Sequence, residues 1–139
     1  MNIEVVSDIY QKLSRDNLHL LDGIYHHDVV FEDAAHRLEG WNELLDYFES
    51  LYQNVHRCDF DIHTQQQVGD SGFLTWSMSL QHPKLQGGQT VTVNGASHLK
   101  FQNDKVIYHR DYFDLGEMIY ENIPLLGSVI RSIKQRLGQ

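Results

Sequence analysis

Two segments of this 139-residue chain carry acid–base side chains at spacings that could do chemistry. The first is His109-Arg110-Asp111-Tyr112-Phe113-Asp114. In a strand, successive side chains face opposite sides. His109, Asp111 and Phe113 therefore share one face, and Arg110, Tyr112 and Asp114 share the other. If the His109/Asp111 face points inward, a carboxylate sits in an enclosed, partly apolar space beside an imidazole. Such a group can exchange a proton with a ligand or polarise a water. A desolvated charge also needs a partner, which gives the same pair a purely structural reading. The second segment is Val29-Val30-Phe31-Glu32-Asp33. Asp33 could act as a base, or it could cap a turn at the end of a short strand. His36 follows at what would be the rim of a site.

The sequence contains nine histidines, which raises the question of a metal. His26 and His27 are adjacent and so are expected to point apart in either a strand or a helix. No metal-ligand spacing of the His-Glu-x-x-His kind occurs, and no metal is expected.

The elements that must position these groups are legible from periodicity. Val5, Val6, Ile9, Tyr10 and Leu13 have helical spacing over residues 3–14. Asp16 or Asn17 can cap a second short helix through Leu18, Leu21 and Tyr25. Val29-Val30-Phe31 predicts a short strand. After Gly40, residues 41–52 carry Leu44, Leu45, Phe48, Leu51 and Tyr52 on one helical stripe. Past Asn54 the period changes to two. Cys58, Phe60 and Ile62 alternate with polar residues, and Gly69-Asp70-Ser71-Gly72 predicts a hairpin turn. Leu74, Trp76, Met78 and Leu80 then alternate with Thr75, Ser77, Ser79 and Gln81. This apolar stripe is either core or an outer sheet face buried in a dimer. Residues 83–88 form a loop. Val91, Val93, Gly95, Ser97, Leu99 and Phe101 share a face, and residues 105–114 form the last strand. The tail breaks at Pro124. Beyond it, Leu125, Leu126, Val129, Ile130, Ile133 and Leu137 form an amphipathic set, opposite Arg131, Lys134 and Arg136, that closes the fold. The order is that of one α+β domain over 1–139, with helices packed on one side of a strongly curved antiparallel sheet. The mouth of such a cone is a natural ligand site.

Composition excludes several partners. The net charge of −8 argues against nucleic acid, which wants a basic stripe. Cys58 is the only cysteine, so no internal disulfide can form, and a reducing, cytoplasmic location is the expectation. No segment is apolar enough for stable membrane association, and the first residues do not read as a secretory signal.

The order of elements, with Phe31-Glu32-Asp33 after the second helix and Tyr108-His109-Arg110-Asp111-Tyr112-Phe113-Asp114 at the end, resembles the NTF2-like superfamily and, within it, the SnoaL-like branch. The resemblance implies a cone of curved antiparallel sheet closed by N-terminal helices and a C-terminal helix. It also implies a homodimer through the sheet face and an internal pocket for a small apolar molecule. The family's steroid isomerases imply a base at Asp33. Their tyrosine position falls on Ile9, about 100° around the helix from Tyr10, and their acid position falls on Ser97. The family's epoxide hydrolases imply an aspartate at Asp111, with their remaining partners falling on Ser77 and Ser79. Asp111, His109 and Asp33 are thus the candidate catalytic groups. Ser77, Ser79, Ser97, Tyr10 and Phe113 are candidate ligand contacts. The implied chemistry is proton transfer without a cofactor: isomerisation, cyclisation or hydration. The alternative is a non-catalytic ligand-binding or stress-response accessory protein using the same cavity.

Overall fold

The computed structural model describes residues 2–118 and 126–138. Helix α1 (Ile3–Lys12) is capped by Asn2, whose side chain accepts from the Glu4 amide at 2.9 Å. It buries Ile3, Val6 and Tyr10, which lie along one face. A 3₁₀ turn (Leu18–Gly23) leads into β1 (Tyr25–Glu32), and β2 (Arg37–Glu39) follows. Tyr25 therefore begins a strand rather than ending a helix, and that strand starts four residues earlier than Val29. Helix α2 (Trp41–Asn54) buries Leu44, Phe48 and Tyr52, spaced four apart. Strands β3 (Arg57–Val68), β4 (Ser71–Gln81), β5 (Thr90–Gln102) and β6 (Lys105–Phe113) then run as an antiparallel meander. The β3–β4 turn sits at Gly69-Asp70, where Gly69 takes the left-handed φ of 58° that the reversal needs.

The six strands form one curved, unclosed sheet in the order β2-β1-β6-β5-β4-β3. The sheet is mixed rather than wholly antiparallel, because β1 runs parallel to β6. The α2-to-β5 segment between them is long enough to make that crossover. Register irregularities in β3 (Ile62/Thr64) and β5 (Lys100/Phe101) add to the bend.

Burial follows the pleat. Leu74, Trp76, Met78 and Leu80 turn to the concave face and join Val91, Val93, Leu99, Phe101 and Val106 in the core. The apolar stripe of β4 is therefore core, not an outer face. Gly95 stands opposite Trp76. A Cβ at Gly95 would come within 2.6 Å of Trp76 Cζ2, so the glycine makes room for the indole to lie across β5.

Helix α3 (Leu115–Met118) sends Leu115 and Met118 to the open end of the concave face. Helix α4 (Leu126–Leu137) is tied to the rest by an ion pair of Lys134 with Asp114 at 2.6 Å. Its apolar residues Val129, Ile133 and Leu137 remain exposed instead of packing onto the cone. The expected break at Pro124 and the position of Leu125 lie outside the described residues. No helix among the described residues is long and apolar enough to cross a membrane.

Candidate functional site

Strand alternation in β6 places His109 and Asp111 on the concave face, with His109 fully buried and the Asp111 side chain 17 % exposed. The two groups meet directly: His109 Nε2 lies 2.6 Å from Asp111 Oδ1. Ser97, opposite Asp111 on β5, donates from Oγ to the same oxygen at 2.5 Å. Behind Ser97, Trp76 donates from Nε1 at 2.9 Å. Behind His109, its Nδ1 pairs with the Tyr25 hydroxyl at 2.8 Å, and Tyr25 in turn makes a short hydroxyl–hydroxyl bond to Tyr10.

With the His109 ring neutral, the direction of every bond follows from what each group can do. Indole N–H only donates, so Ser97 Oγ accepts from Trp76 and turns its own proton to Asp111. A carboxylate only accepts, so His109 donates from Nε2, and in the neutral ring Nδ1 becomes an acceptor. Tyr25 then donates to His109, and Tyr10 donates to Tyr25. Two arms of donors thus converge on Asp111 Oδ1. Among the described residues, no protein group bonds Oδ2. Burial holds the Tyr10 and Tyr25 hydroxyls well above the usual phenolic range, so both stay protonated donors.

Asp111 borders a cavity of about 170 Å³ between the concave face, α1, α2 and α3. Aromatic walls come from Tyr10, Phe31, Tyr47, Phe48, Phe60, Trp76 and Phe113, and Leu51, Met78, Leu80, Leu115 and Met118 complete the apolar lining. The volume is close to the engineered apolar cavity of roughly 150 Å³ that takes up benzene. A larger recess beside Arg15, Asp16, Arg57 and Asp59 is a polar groove open to solvent. Cys58 lies beneath it, and burial pushes its thiol up to about 12, which makes it inert.

Asp33 also borders the cavity, yet its Oδ1 accepts from the Ala35 and His36 amides at 2.8 and 2.7 Å. His36 Nδ1 lies 3.1 Å from that oxygen. Asp33 therefore holds the turn between β1 and β2, as its strand-end position allows. Burial and the neighbouring Asp33 carboxylate hold the Tyr47 hydroxyl above its ordinary range.

The structure brings together Asp111, His109, Asp33, Ser97, Tyr10 and Phe113. It does not bring in Ser77 and Ser79. These alternate with the buried stripe of β4 and face the convex side, where Ser77 bonds His63 and Asn94. As ligand contacts they are corrected: the pleat that buries Trp76 and Met78 turns both serines away. Ser97 and His109 are set behind Asp111 and do not border the main cavity. Tyr25 was the residue missed, since nothing local links it to a histidine 84 positions away.

His26 and His27 do not point apart. The register irregularity of β1 between Tyr25 and Val30 stacks their rings at 4.4 Å, next to Asp28. These three residues bring their ligand atoms together, but His26 Nδ1 accepts from the Asp28 amide at 3.0 Å. That bond puts the neutral ring's proton on Nε2, and neither nitrogen then offers a free lone pair to a metal.

Residues 6–109 match the family model of the SnoaL-like domain. No curated protein matches the sequence. Among solved structures, an LEH-like epoxide hydrolase from M. tuberculosis is 19% identical, with a TM-score of 0.70 over 84% of this chain and 80% of that chain. An NTF2-like protein of unknown function from Burkholderia pseudomallei is 16% identical, with a TM-score of 0.75 over 86% of this chain and 96% of that chain. A protein with a ketosteroid isomerase-like fold from Catenulispora acidiphila, in complex with trimethylamine, is 14% identical, with a TM-score of 0.75 over 88% of this chain and 93% of that chain. At these identities the likeness is one of fold.

Proposed function

The chain belongs to the SnoaL-like domain family, and from that premise we propose that its cavity holds a small, largely apolar molecule and moves a proton on it without a cofactor, with Asp111 as the acid/base. The observation that carries this reading is the asymmetry of Asp111. One oxygen is fixed by His109 and Ser97, while the other is left to an apolar cavity. A general base needs that combination of a held geometry and a free lone pair. His109 and Ser97 are positioning residues, and Tyr25 holds the His109 ring through Nδ1. Tyr10 is the one hydroxyl of this network that borders the main cavity, where its oxygen can accept from a ligand O–H or N–H. The trimethylamine complex of the Catenulispora protein supports a small-molecule site in this fold.

The test uses an activated carbon acid, 5-nitrobenzisoxazole. A base removes its C3 proton, the N–O bond breaks, and a coloured cyanophenolate forms, leaving the proton on the base. The expected result is turnover above buffer that Asp111→Asn lowers by about 100-fold or more, while Asp33→Asn retains most of it. Equal rates for wild type and Asp111→Asn would sink the assignment.

A second reading, a non-catalytic binding or stress-response accessory protein, is favoured by one observation. Asp33 is engaged in a turn, so Asp111 stands without a second free acid. On that reading Asp111→Asn changes stability and binding, and there is no turnover to lose. We also propose a homodimer through the convex sheet face, supported by the exposed Phe73 and Tyr112 there. Sedimentation of wild type against Tyr112→Glu tests it. A cytoplasmic location is supported by the single buried, unpaired thiol.

A further inference from the structure

We propose that the ligand of this cavity is a small organic cation, an alkylated ammonium ion carried on an apolar body. The inference names the ligand class for the cavity of the preceding reading and does not depend on proton transfer occurring there. Two carboxylates, Asp33 and Asp111, border one apolar space, and among the described residues no lysine or arginine lines it. Asp111 is oriented by a hydroxyl and a ring N–H, and Asp33 by two amides with His36 Nδ1 3.1 Å away. Hydroxyl and amide donors fix a carboxylate without cancelling its charge. Among the described residues His36 is the one lining group able to carry a positive charge, and it stands beside Asp33, about half exposed.

Filling this space with a neutral apolar molecule would strip water from Asp111 Oδ2, the oxygen no protein group among the described residues bonds, with nothing to replace it. An anion would be repelled by both. A methylated ammonium ion brings the opposite charge to the carboxylates that border the space, and its methyl groups meet the walls. Seven aromatic rings border the cavity, Trp76 and Tyr47 among them. The negative face of an aromatic ring attracts a cation within about 6 Å, and indole does so best. Alkylated ammonium ions also carry little bound water, so entry costs them less than it costs a primary ammonium. The cavity of about 170 Å³ suits a molecule of that size.

The test is calorimetric titration of the full chain with choline and with 3,3-dimethylbutan-1-ol, which has the same shape with carbon in place of the charged nitrogen. Choline is expected to bind about tenfold tighter than the alcohol. Asp111→Asn and Asp33→Asn should each remove most of that preference. Equal binding, tighter binding of the alcohol, or no heat from choline would each overturn the proposal. The wild-type pair decides this without any variant having to fold. If the alcohol alone binds, the ligand is neutral and the apolar site stands. The benzisoxazole assay decides the proton-transfer reading separately.

Discussion

Replacing Tyr25 with phenylalanine removes one oxygen from the middle of the buried network. The ring keeps its stacking on Trp41 at 5.5 Å and on His109 at 6.0 Å, so packing is retained and the loss is of hydrogen bonds. Two partners are affected. Tyr10 borders the cavity and can turn its hydroxyl to water there. His109 is 2 % exposed, so Nδ1 is left buried without a donor. An orphaned buried acceptor costs about 1–3 kcal/mol and the lost Tyr10 bond about 1 more, for a total of roughly 2–4 kcal/mol. Tyr10→Phe removes only a donor and leaves Tyr25 bonded to His109, so its cost is about 1 kcal/mol. The double variant should cost no more than about the Tyr25→Phe value, because both changes remove the same bond. Urea unfolding with an unchanged slope measures all three. Nitrogen chemical shifts of His109 provide a second readout, with the proton on Nε2 in the wild type. A Tyr25→Phe variant within about 0.5 kcal/mol of wild type, or one milder than Tyr10→Phe, would refute these bonds, and a proton found on Nδ1 of His109 would refute their direction.

Two more predictions concern the core. Burial raises the Tyr10, Tyr25, Tyr47 and Tyr52 hydroxyls and the Cys58 thiol, so the folded chain keeps protons that the unfolded chain sheds. Their contribution is whole below the ordinary values, 9.0 for the thiol and 10.0 for the phenols, and is lost as pH rises. Unfolding free energy should therefore fall above pH 9, by up to about 1.4 kcal/mol per pH unit for each group. A flat profile from pH 8 to 11 contradicts the burial of these groups. Gly95→Ala drives a methyl group into the Trp76 indole and should cost about 1–3 kcal/mol, with a shift in tryptophan emission. An unperturbed Trp76 would show that the indole does not lie across β5.

The sequence made some of this arrangement legible and concealed the rest, for physical reasons. The two-residue period of β6 was sufficient to put His109, Asp111 and Phe113 on one side, because alternation is a local property. The same rule assigns Ser77 and Ser79 correctly once the β4 apolar stripe is taken as core. Their place as ligand contacts is what the family resemblance implies, and the pleat gives the opposite face. Tyr25 could not be found locally. It fits the end of a helical stripe, and its role depends on β1 lying parallel beside β6, a pairing of residues about 80 positions apart. The stacking of His26 on His27 depends on an irregularity in the same strand that hydrophobic patterning does not encode. Asp33 was open between base and turn cap, and the choice fell to the chain reversal that brings the Ala35 and His36 amides back to it.

The two oxygens of Asp111 have a stereochemical consequence. With Oδ1 occupied by Ser97 and His109, a proton can be taken up and given back only at Oδ2. A bound molecule is then addressed from one side throughout, so a hydrogen moved between two of its carbons should stay on the same face. Suprafacial migration, with some hydrogen carried over intact even in deuterium oxide, would be the mark of a single sheltered atom doing the work.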